Sequence, residues 1–357
     1  MPIIQKVALE PAIAAIFLQA GTPADTARLV AENLVEANLF GHDSHGVGMV
    51  ERYIESLQTG GLVPHADATP VIANDHLTVF DGNRGFGQRA GRTAVDHLAE
   101  KAKAHGVGAI GLRNCHHLGR IGAFSERLAN EGLVSVMFVN VRSTIIVAPW
   151  GGREGRFGTN PISIGVPRPS APHFILDFAT SMIAMGKARV AWLNGKKLNQ
   201  KAVIDAAGEE TSDPRPLYEE PIGALLPFGG HKGSGLAFAC SLLTGVMIGS
   251  GTEKDPIEFD RAIINGMFAI AVDPQASGAA SHWRAEVDDY IEWVLAAKRK
   301  DPGTEVLAPG EPEYRTSQAR SADGIDVDVG TYESLARAAK NVGLQAGFIP
   351  KAFGLEG

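Results

Sequence analysis

Short apolar runs crowd the middle of this chain, at residues 76–81, 107–112, 135–141, 162–166, 174–177 and within 262–272, with Gly, Pro, Asn or Asp at most of their ends. Runs of that length and bounding chemistry are strands. Between the first two, residues 91–104 have helical character, so 76–112 reads as a β-loop-α-β unit. Towards the ends, helical spacing takes over. Ala27, Val30, Leu34, Val35 and Leu39 share one face of a helix over 23–39, with Thr22 as cap, Pro23 at the first position, Asp25 at the positive end of the dipole and Gly41 as the stop. A second helix turns Val47, Val50, Ile54 and Leu57 inward and Glu51, Arg52 and Glu55 outward, ending at Gly60-Gly61. Further on, 233–245 is apolar without β-branched runs and reads as a buried helix, 281–300 as an amphipathic helix, 301–313 as a Pro/Gly-rich connection and 331–342 as a last helix. The ends are helical and the middle carries a sheet. At 357 residues, two intimately packed domains are expected.

Composition narrows the function. With 45% hydrophobic and 20% charged residues the chain is not largely disordered, and a net charge of −7 argues against nucleic-acid or anionic-membrane partners. No apolar run approaches the roughly 20 residues of a membrane span, and the N-terminus lacks signal-peptide character, so a cytoplasmic location is expected. Cys115 and Cys240 are too few for a disulfide framework or a thiolate metal site, and both read as buried free thiols.

Between the first two predicted helices lies Gly41-His42-Asp43-Ser44-His45-Gly46, a hydroxyl, a carboxylate and two imidazoles suited to proton transfer. Competing chemistries fit less well. Gly85-Phe86-Gly87 before a helix invites a Rossmann reading, but the sixth position is Ala90 and the next strand runs into Arg113-Asn114, without a closing acid. No Walker A motif is present, since Gly186-Lys187 is followed by Ala188. His42, His45, His116 and His117 form no i, i+4 pair of the zinc-hydrolase kind, and adjacent imidazoles on an extended segment point to opposite faces, so no metal is expected. Ser234 lacks the nucleophile-elbow spacing of a serine hydrolase. Ser44 and His45 are sequence neighbours, whose side chains are expected to diverge, which argues against a nucleophile–base pair. His45 therefore remains as proton donor or acceptor, together with Gly-rich polar loops at 114–122, 157–161, 177–181 and 229–235 that suit a cofactor.

Read in order, Asp43-Ser44-His45-Gly46, His116-His117-Leu118-Gly119, Arg156-Phe157-Gly158-Thr159-Asn160-Pro161, Asp177-Phe178-Ala179-Thr180-Ser181, His231-Lys232-Gly233 and Pro309-Gly310-Glu311 resemble the malate/L-lactate dehydrogenase family of the second type (L-sulfolactate dehydrogenase-like). The form 41–49 with Gly119-Arg120-Ile121-Gly122 looks closest to its hydroxycarboxylate dehydrogenase B branch. The resemblance implies a mixed α/β (α+β) fold. Its non-Rossmann cofactor-binding sheet, flanked by helices, would span 76–304, beside a mainly helical domain built from 1–75 with 305–357. It also implies a homodimer and an NAD(P)H-dependent 2-oxo acid reductase or 2-hydroxy acid dehydrogenase. His45 would be the general acid, oriented by Ser44 and Asp177. Cofactor contacts would come from His117, Gly119, Arg120, Ile121, Ile175, Leu176, Phe178, Ala179, Thr180, His231, Lys232, Asn265, Gly310, Glu311 and Glu313. NAD(H) is favoured, with NADP(H) the alternative. Many family members carry Arg where Met49 stands, so the substrate carboxylate needs another cation: Arg52, Arg120, Arg142 and Arg156 are candidates, with Thr159 and Asn160 as further candidate substrate contacts. The other readings are a cyclic imino-acid reductase, in which His45 protonates nitrogen, and a catalytically silent dinucleotide-binding subunit or sensor.

Overall fold

A computed structural model of the chain describes residues 2–143, 145–193, 195–278 and 282–354. In chain order its strands are β1 (Ile3–Ile4), β2 (Thr69–Ala73), β3 (Leu77–Asp81), β4 (Val107–Cys115), β5 (Val134–Arg142), β6 (Ile162–Val166), β7 (Phe174–Phe178), β8 (Val203–Ile204), β9 (Glu210–Thr211), β10 (Ala224–Leu225), β11 (Ile264–Val272) and β12 (Ile325–Asp326). The helices are α1 (Lys6–Gln19), α2 (Ala24–Leu39), α3 (Val50–Gln58), α4 (Gly87–His105), α5 (Gly122–Asn130), α6 (Met185–Leu193), α7 (His231–Cys240), α8 (Trp283–Leu295), α9 (Glu311–Asp323), α10 (Val329–Asn341) and α11 (Phe348–Ala352). Among the described residues no helix is long and apolar enough to cross a membrane.

The main sheet has the order β2-β3-β4-β11-β5-β6-β7. Only β3 and β4 run parallel, joined through α4, and all its other neighbours are antiparallel. A Rossmann sheet is built from successive parallel βαβ units, so this order is a different fold. Strand alternation assigns the two faces. Ile110 and Leu112 of β4, with Met267, Ala269 and Ala271 of β11, pack with Ala94, Val95 and Leu98 of α4. Gly111 points the other way, where a Cβ would meet Ile248, just past the π-helical continuation of α7 over Ser241–Met247. The sheet is therefore covered on both faces, by α4 and α5 on one and by 231–247 on the other. A second cluster joins the chain ends: Leu9, Ile13, Ile16 and Phe17 of α1 and Val30 and Leu34 of α2 pack with Ile325, Leu335 and Phe353.

Several expectations need correction. Thr22 does not cap α2: its hydroxyl is buried without a partner among the described residues, and Pro23 occupies the cap position. The stop at Gly41 is as expected, with φ +79 and His42 N–H bonded back to Ala37 O at 2.8 Å. The apolar 233–245 segment is covered by the sheet on one side only, leaving Phe238, Leu242, Val246 and Met247 at 52–62% exposure. The Pro/Gly-rich connection ends at Gly310, because Glu311 and Pro312 open α9. For the helix expected over 281–300, Ser281 lies outside the described residues and α8 occupies Trp283–Leu295. Both cysteines are free and buried.

Candidate active site

Asn38, in the last turn of α2, shapes the loop that carries His45. Its Nδ2 donates to Asp43 Oδ1 at 2.6 Å, and its Oδ1 accepts from Val47 N–H at 2.8 Å. Arg320 of α9 grips the same Asp43 carboxylate with both terminal nitrogens, at 2.7 and 3.0 Å, and also donates to Asn38 O. Asp43 is thus a brace, spent on the loop and not on proton transfer. Gly46 has no room for a side chain, since a Cβ would overlap the Asn38 amide, lying 2.6 Å from Nδ2 and nearer still to Cγ and Oδ1. The chain turns tightly here, in 3-10 turns over Asp43–His45 and Val47–Met49. That curl brings the two neighbouring side chains together instead of letting them diverge, with Ser44 Oγ 3.0 Å from His45 Nδ1. Gly186 of α6 backs Ser44, and a Cβ there would stand 2.6 Å from Ser44 Cβ.

His45 stacks on His117, with ring centroids 5.6 Å apart and planes at 15°. Loss of water around it, reinforced by the positive character of His42 and Arg120, pushes the His45 imidazole down to about 4. His117 is held well below its ordinary value by burial and then by His45, His116 and Arg52, while its Nδ1 lies 2.7 Å from Tyr53 Oη. His116 is fully buried edge-on to Tyr53, its ring nitrogens lack partners among the described residues, and burial pushes it down to about 3. The two imidazoles therefore do reach different surroundings, although both touch Tyr53. The glycines of 82–87 serve packing: a Cβ on Gly87 would overlap the His116 and His117 carbonyls, and one on Gly82 would lie 2.5 Å from Cys115 Cβ. They seat the histidine segment and leave no phosphate cradle.

The candidate arginines separate clearly. Arg120 is buried, bonded to Glu126 at 3.0 and 2.6 Å and stacked on Phe40, so its charge is already matched. Arg142 donates to the carbonyls of Ser250, Asp255 and Pro256. Arg156 is 62% exposed and paired with Glu154. Arg52 gives Nε to Arg261 O at 2.5 Å, and its two terminal nitrogens have no partner among the described residues. It sits close enough to depress both His116 and His117.

Beside this cluster, Ile175, Leu176 and Asp177 at the end of β7 meet Leu307, Ala308, Pro309, Gly310, Pro312 and Glu313 around a cleft of about 240 Å³. Gly310 opens α9 at φ +94, and a Cβ there would be 2.9 Å from His173 O. His42 joins the cleft to the histidine pair, with Nε2 3.6 Å from Glu313 Oε1 and its ring 6.5 Å from that of His45. This partner holds Glu313 below the usual carboxylate range, whereas burial raises Asp177 against the pull of His42, Gly122 N–H and Arg120. Asp177 Oδ2 accepts from Gly122 N–H at 2.7 Å and makes no hydrogen bond to His45 or Ser44 among the described residues. Glu311 spends its carboxylate on Ala308 N–H at 3.0 Å.

The remaining loops are stitched beside β7. Thr180 N–H and Oγ1 both donate to Thr159 O, Phe228 N–H donates to Thr180 O, and Phe178 meets Phe228 edge-on at 5.3 Å. Ala179 is half-buried between them, and His231 and Lys232 stand exposed in the first turn of α7. Two candidates are internal struts. Asn160 is sealed against Glu253 and Ser241 and accepts from Val141 N–H, and Asn265 is buried and accepts from Leu118 N–H at 2.9 Å. Asn265 also marks a β-bulge that ends the β4–β11 pairing at the histidine segment. Gly119 and Ile121 flank the buried Arg120, with Gly119 at φ +79. Asn38, Tyr53, Gln88 and Arg320 belong to no motif in the sequence, and Gly186 stood out only as a failed phosphate-loop match. Only Tyr53 had a local signal, because it shares the inward face of α3 with Val50 and Ile54 and a buried phenol needs a partner. Among the described residues no group of three or more His, Cys, Asp or Glu side chains is placed to hold a metal ion.

Comparison with known proteins identifies the family. The sequence model of the malate/L-lactate dehydrogenase family matches residues 4–336. Hydroxycarboxylate dehydrogenase B of Escherichia coli (strain K12) is 40% identical over 334 residues, covering 93% of this chain and 92% of that protein. A solved E. coli structure assigned to malate/lactate dehydrogenase superposes with TM-score 0.95 at 38% identity, covering 99% and 98% of the two chains. Delta1-piperideine-2-carboxylate reductase from Pseudomonas syringae superposes at 0.84 with 30% identity, covering 95% and 100%.

Proposed function

We propose a mechanism from one premise: the chain belongs to the malate/L-lactate dehydrogenase family and is a pyridine-nucleotide-dependent oxidoreductase that interconverts 2-oxo acids and 2-hydroxy acids. His45 is its general acid and base. The observation that carries this is the Ser44–His45 contact, which occupies Nδ1 and leaves Nε2 without a partner among the described residues. With its proton affinity held low, His45 is neutral at pH 7 and ready to take the proton of a 2-hydroxyl. In the reverse direction the arriving substrate carboxylate favours the charged imidazolium, which then gives its proton to the carbonyl oxygen. Arg52, with its free terminal nitrogens, holds that carboxylate.

The reduced nicotinamide, when bound, supplies the hydride. The cleft of 175–177 and 307–313 suits such a cofactor: Ile175, Leu176, Leu307, Pro309 and Pro312 offer apolar walls, and Asp177 and Glu313 offer acceptors for ribose hydroxyls. NADH is preferred over NADPH, because the cleft is lined, among the described residues, by two carboxylates and no cation, which disfavours a 2′-phosphate. The enzyme is a homodimer. Phe238, Leu242 and Val246 repeat every four residues with Met247 beside them, and so long an exposed apolar stripe supports burial against a second copy. Two hydrophobic clusters, crossed by Phe86 in the first and Ala68 beside the second, support a division into 1–75 with 305–357 and 76–304.

The test is NADH and NADPH oxidation across a panel of 2-oxo acids and cyclic imino-acid carboxylates. Turnover of the 2-oxo acids with NADH is expected. Turnover of the imines alone would instead make His45 a nitrogen acid, and cofactor binding without turnover would mark a silent subunit.

A further inference from the structure

We infer that Tyr53, held by Gln88, is a positioning residue: it fixes the His117 ring hydrogen on Nε2 and so makes His117 a second hydrogen-bond donor to the substrate, beside His45. This rests on the role of His45 proposed above. Tyr53 is fully buried among Phe17, Phe86 and His116, at ring distances of 6.2, 6.2 and 5.1 Å, so its ring cannot swing. Gln88 is equally enclosed and brings Nε2 to 2.8 Å from Tyr53 Oη. An amide nitrogen only donates, so the phenol oxygen accepts from it. The phenol hydrogen is then left for its other neighbour, His117 Nδ1, at 2.7 Å. Burial raises the Tyr53 phenol far above its ordinary value, which keeps that hydrogen in place.

An imidazole that accepts at Nδ1 carries its hydrogen on Nε2. In His117 that nitrogen has no partner among the described residues and is not sealed from solvent, whereas both ring nitrogens of His116 are sealed. The stacked pair therefore presents two imidazoles with different duties. His45 exchanges a proton, and His117 stays neutral and donates without competing for it. A 2-oxo acid places its carbonyl oxygen and one carboxylate oxygen side by side in a plane. His45 meets the first, and His117 Nε2–H meets the second.

Two variants of the full-length enzyme test this, Tyr53→Phe and Gln88→Glu, read by ¹⁵N NMR of histidine tautomers and by steady-state kinetics. In the unaltered enzyme His117 is expected as the Nε2–H tautomer. Tyr53→Phe keeps the buried ring but removes the hydrogen bond, so the fixed tautomer is lost and kcat/KM for the 2-oxo acid falls by about 10–100-fold, with NADH affinity within about twofold. Gln88→Glu puts an acceptor where a donor stood, so the phenol hydrogen turns away, His117 protonates Nδ1, and kcat/KM falls at least as far. A His117 Nε2–H signal that persists in both variants overturns the inference. So does a switched tautomer with unchanged kcat/KM. Should Gln88→Glu fail to fold, Tyr53→Phe decides. Because the tautomer is read without turnover, the positioning claim survives or fails separately from the assigned reaction.

Discussion

Gly46→Ala is the smallest change that strains the catalytic loop without touching Ser44 or His45 themselves. The backbone at Gly46 is extended, with φ −89, so alanine meets no conformational barrier there and the whole effect falls on Asn38. The new methyl overlaps the Asn38 amide, a short buried side chain locked by bonds to Asp43 and Val47 that has no alternative place to go. Losing two hydrogen bonds costs about 1 kcal/mol each, and the residual overpacking about 1 kcal/mol more, giving about 3 kcal/mol of lost stability. Since the same loop sets Ser44 and His45, a displacement of about 1 Å lowers kcat by about 100-fold. Urea unfolding measures the first quantity and initial rates the second. In a double-mutant cycle, Asn38→Ala removes the obstacle, so Gly46→Ala costs much less on that background. Stability within about 0.5 kcal/mol of the unaltered enzyme, with kcat unchanged, would refute the reasoning.

Three further outcomes follow from the same geometry. His116 drops from an ordinary value near 6.5 to about 3 on folding, so it favours the folded state fully above pH 6.5 and progressively less as pH falls towards 3, by about 2 kcal/mol at pH 5. His116→Leu abolishes that part of the acid sensitivity in urea unfolding at pH 7 and 5, and an unchanged pH difference would contradict it. In the free enzyme, kcat/KM for 2-hydroxy acid oxidation rises through a pH of about 4 and then levels off, whereas that for 2-oxo acid reduction declines above it. An oxidation profile still rising above pH 6.5 would assign the base to another group. Arg52→Gln raises the 2-oxo acid KM by about 100-fold and leaves the NADH KM alone; equal effects on both would move Arg52 into the cofactor site.

What could be read from the sequence was what is local. Strands such as β6 and β7 announced themselves by apolar runs bounded by Pro and Asn or closed by an acid, and the end of α2 by Gly41, whose positive φ suits glycine. Helix α1 was obscured by Pro11 in its interior, and α9 by a Pro-Gly start and a single buried residue, Ser317, which leaves no apolar stripe. In the site, the pairing of Ser44 with His45 is adjacent in sequence, yet the 3-10 curl that joins them is held by Arg320, 277 residues from Asp43. The Tyr53–His117 contact spans 64 residues. Neither leaves a periodic trace, because each is one polar contact made by the packing of whole elements. Asn160 and Asn265 show the converse: polar residues in promising loops were spent on bracing the backbone.

The role of His45 is tested most directly by His45→Ala, with kcat for 2-oxo acid reduction and the NADH dissociation constant measured on the same preparation. Removing the general acid should lower kcat by about 10²–10⁴-fold, with NADH affinity within about twofold, because the cleft of 175–177 and 307–313 is untouched. Turnover within a few-fold of the unaltered enzyme, or a loss of NADH affinity as large as the loss of rate, would contradict it.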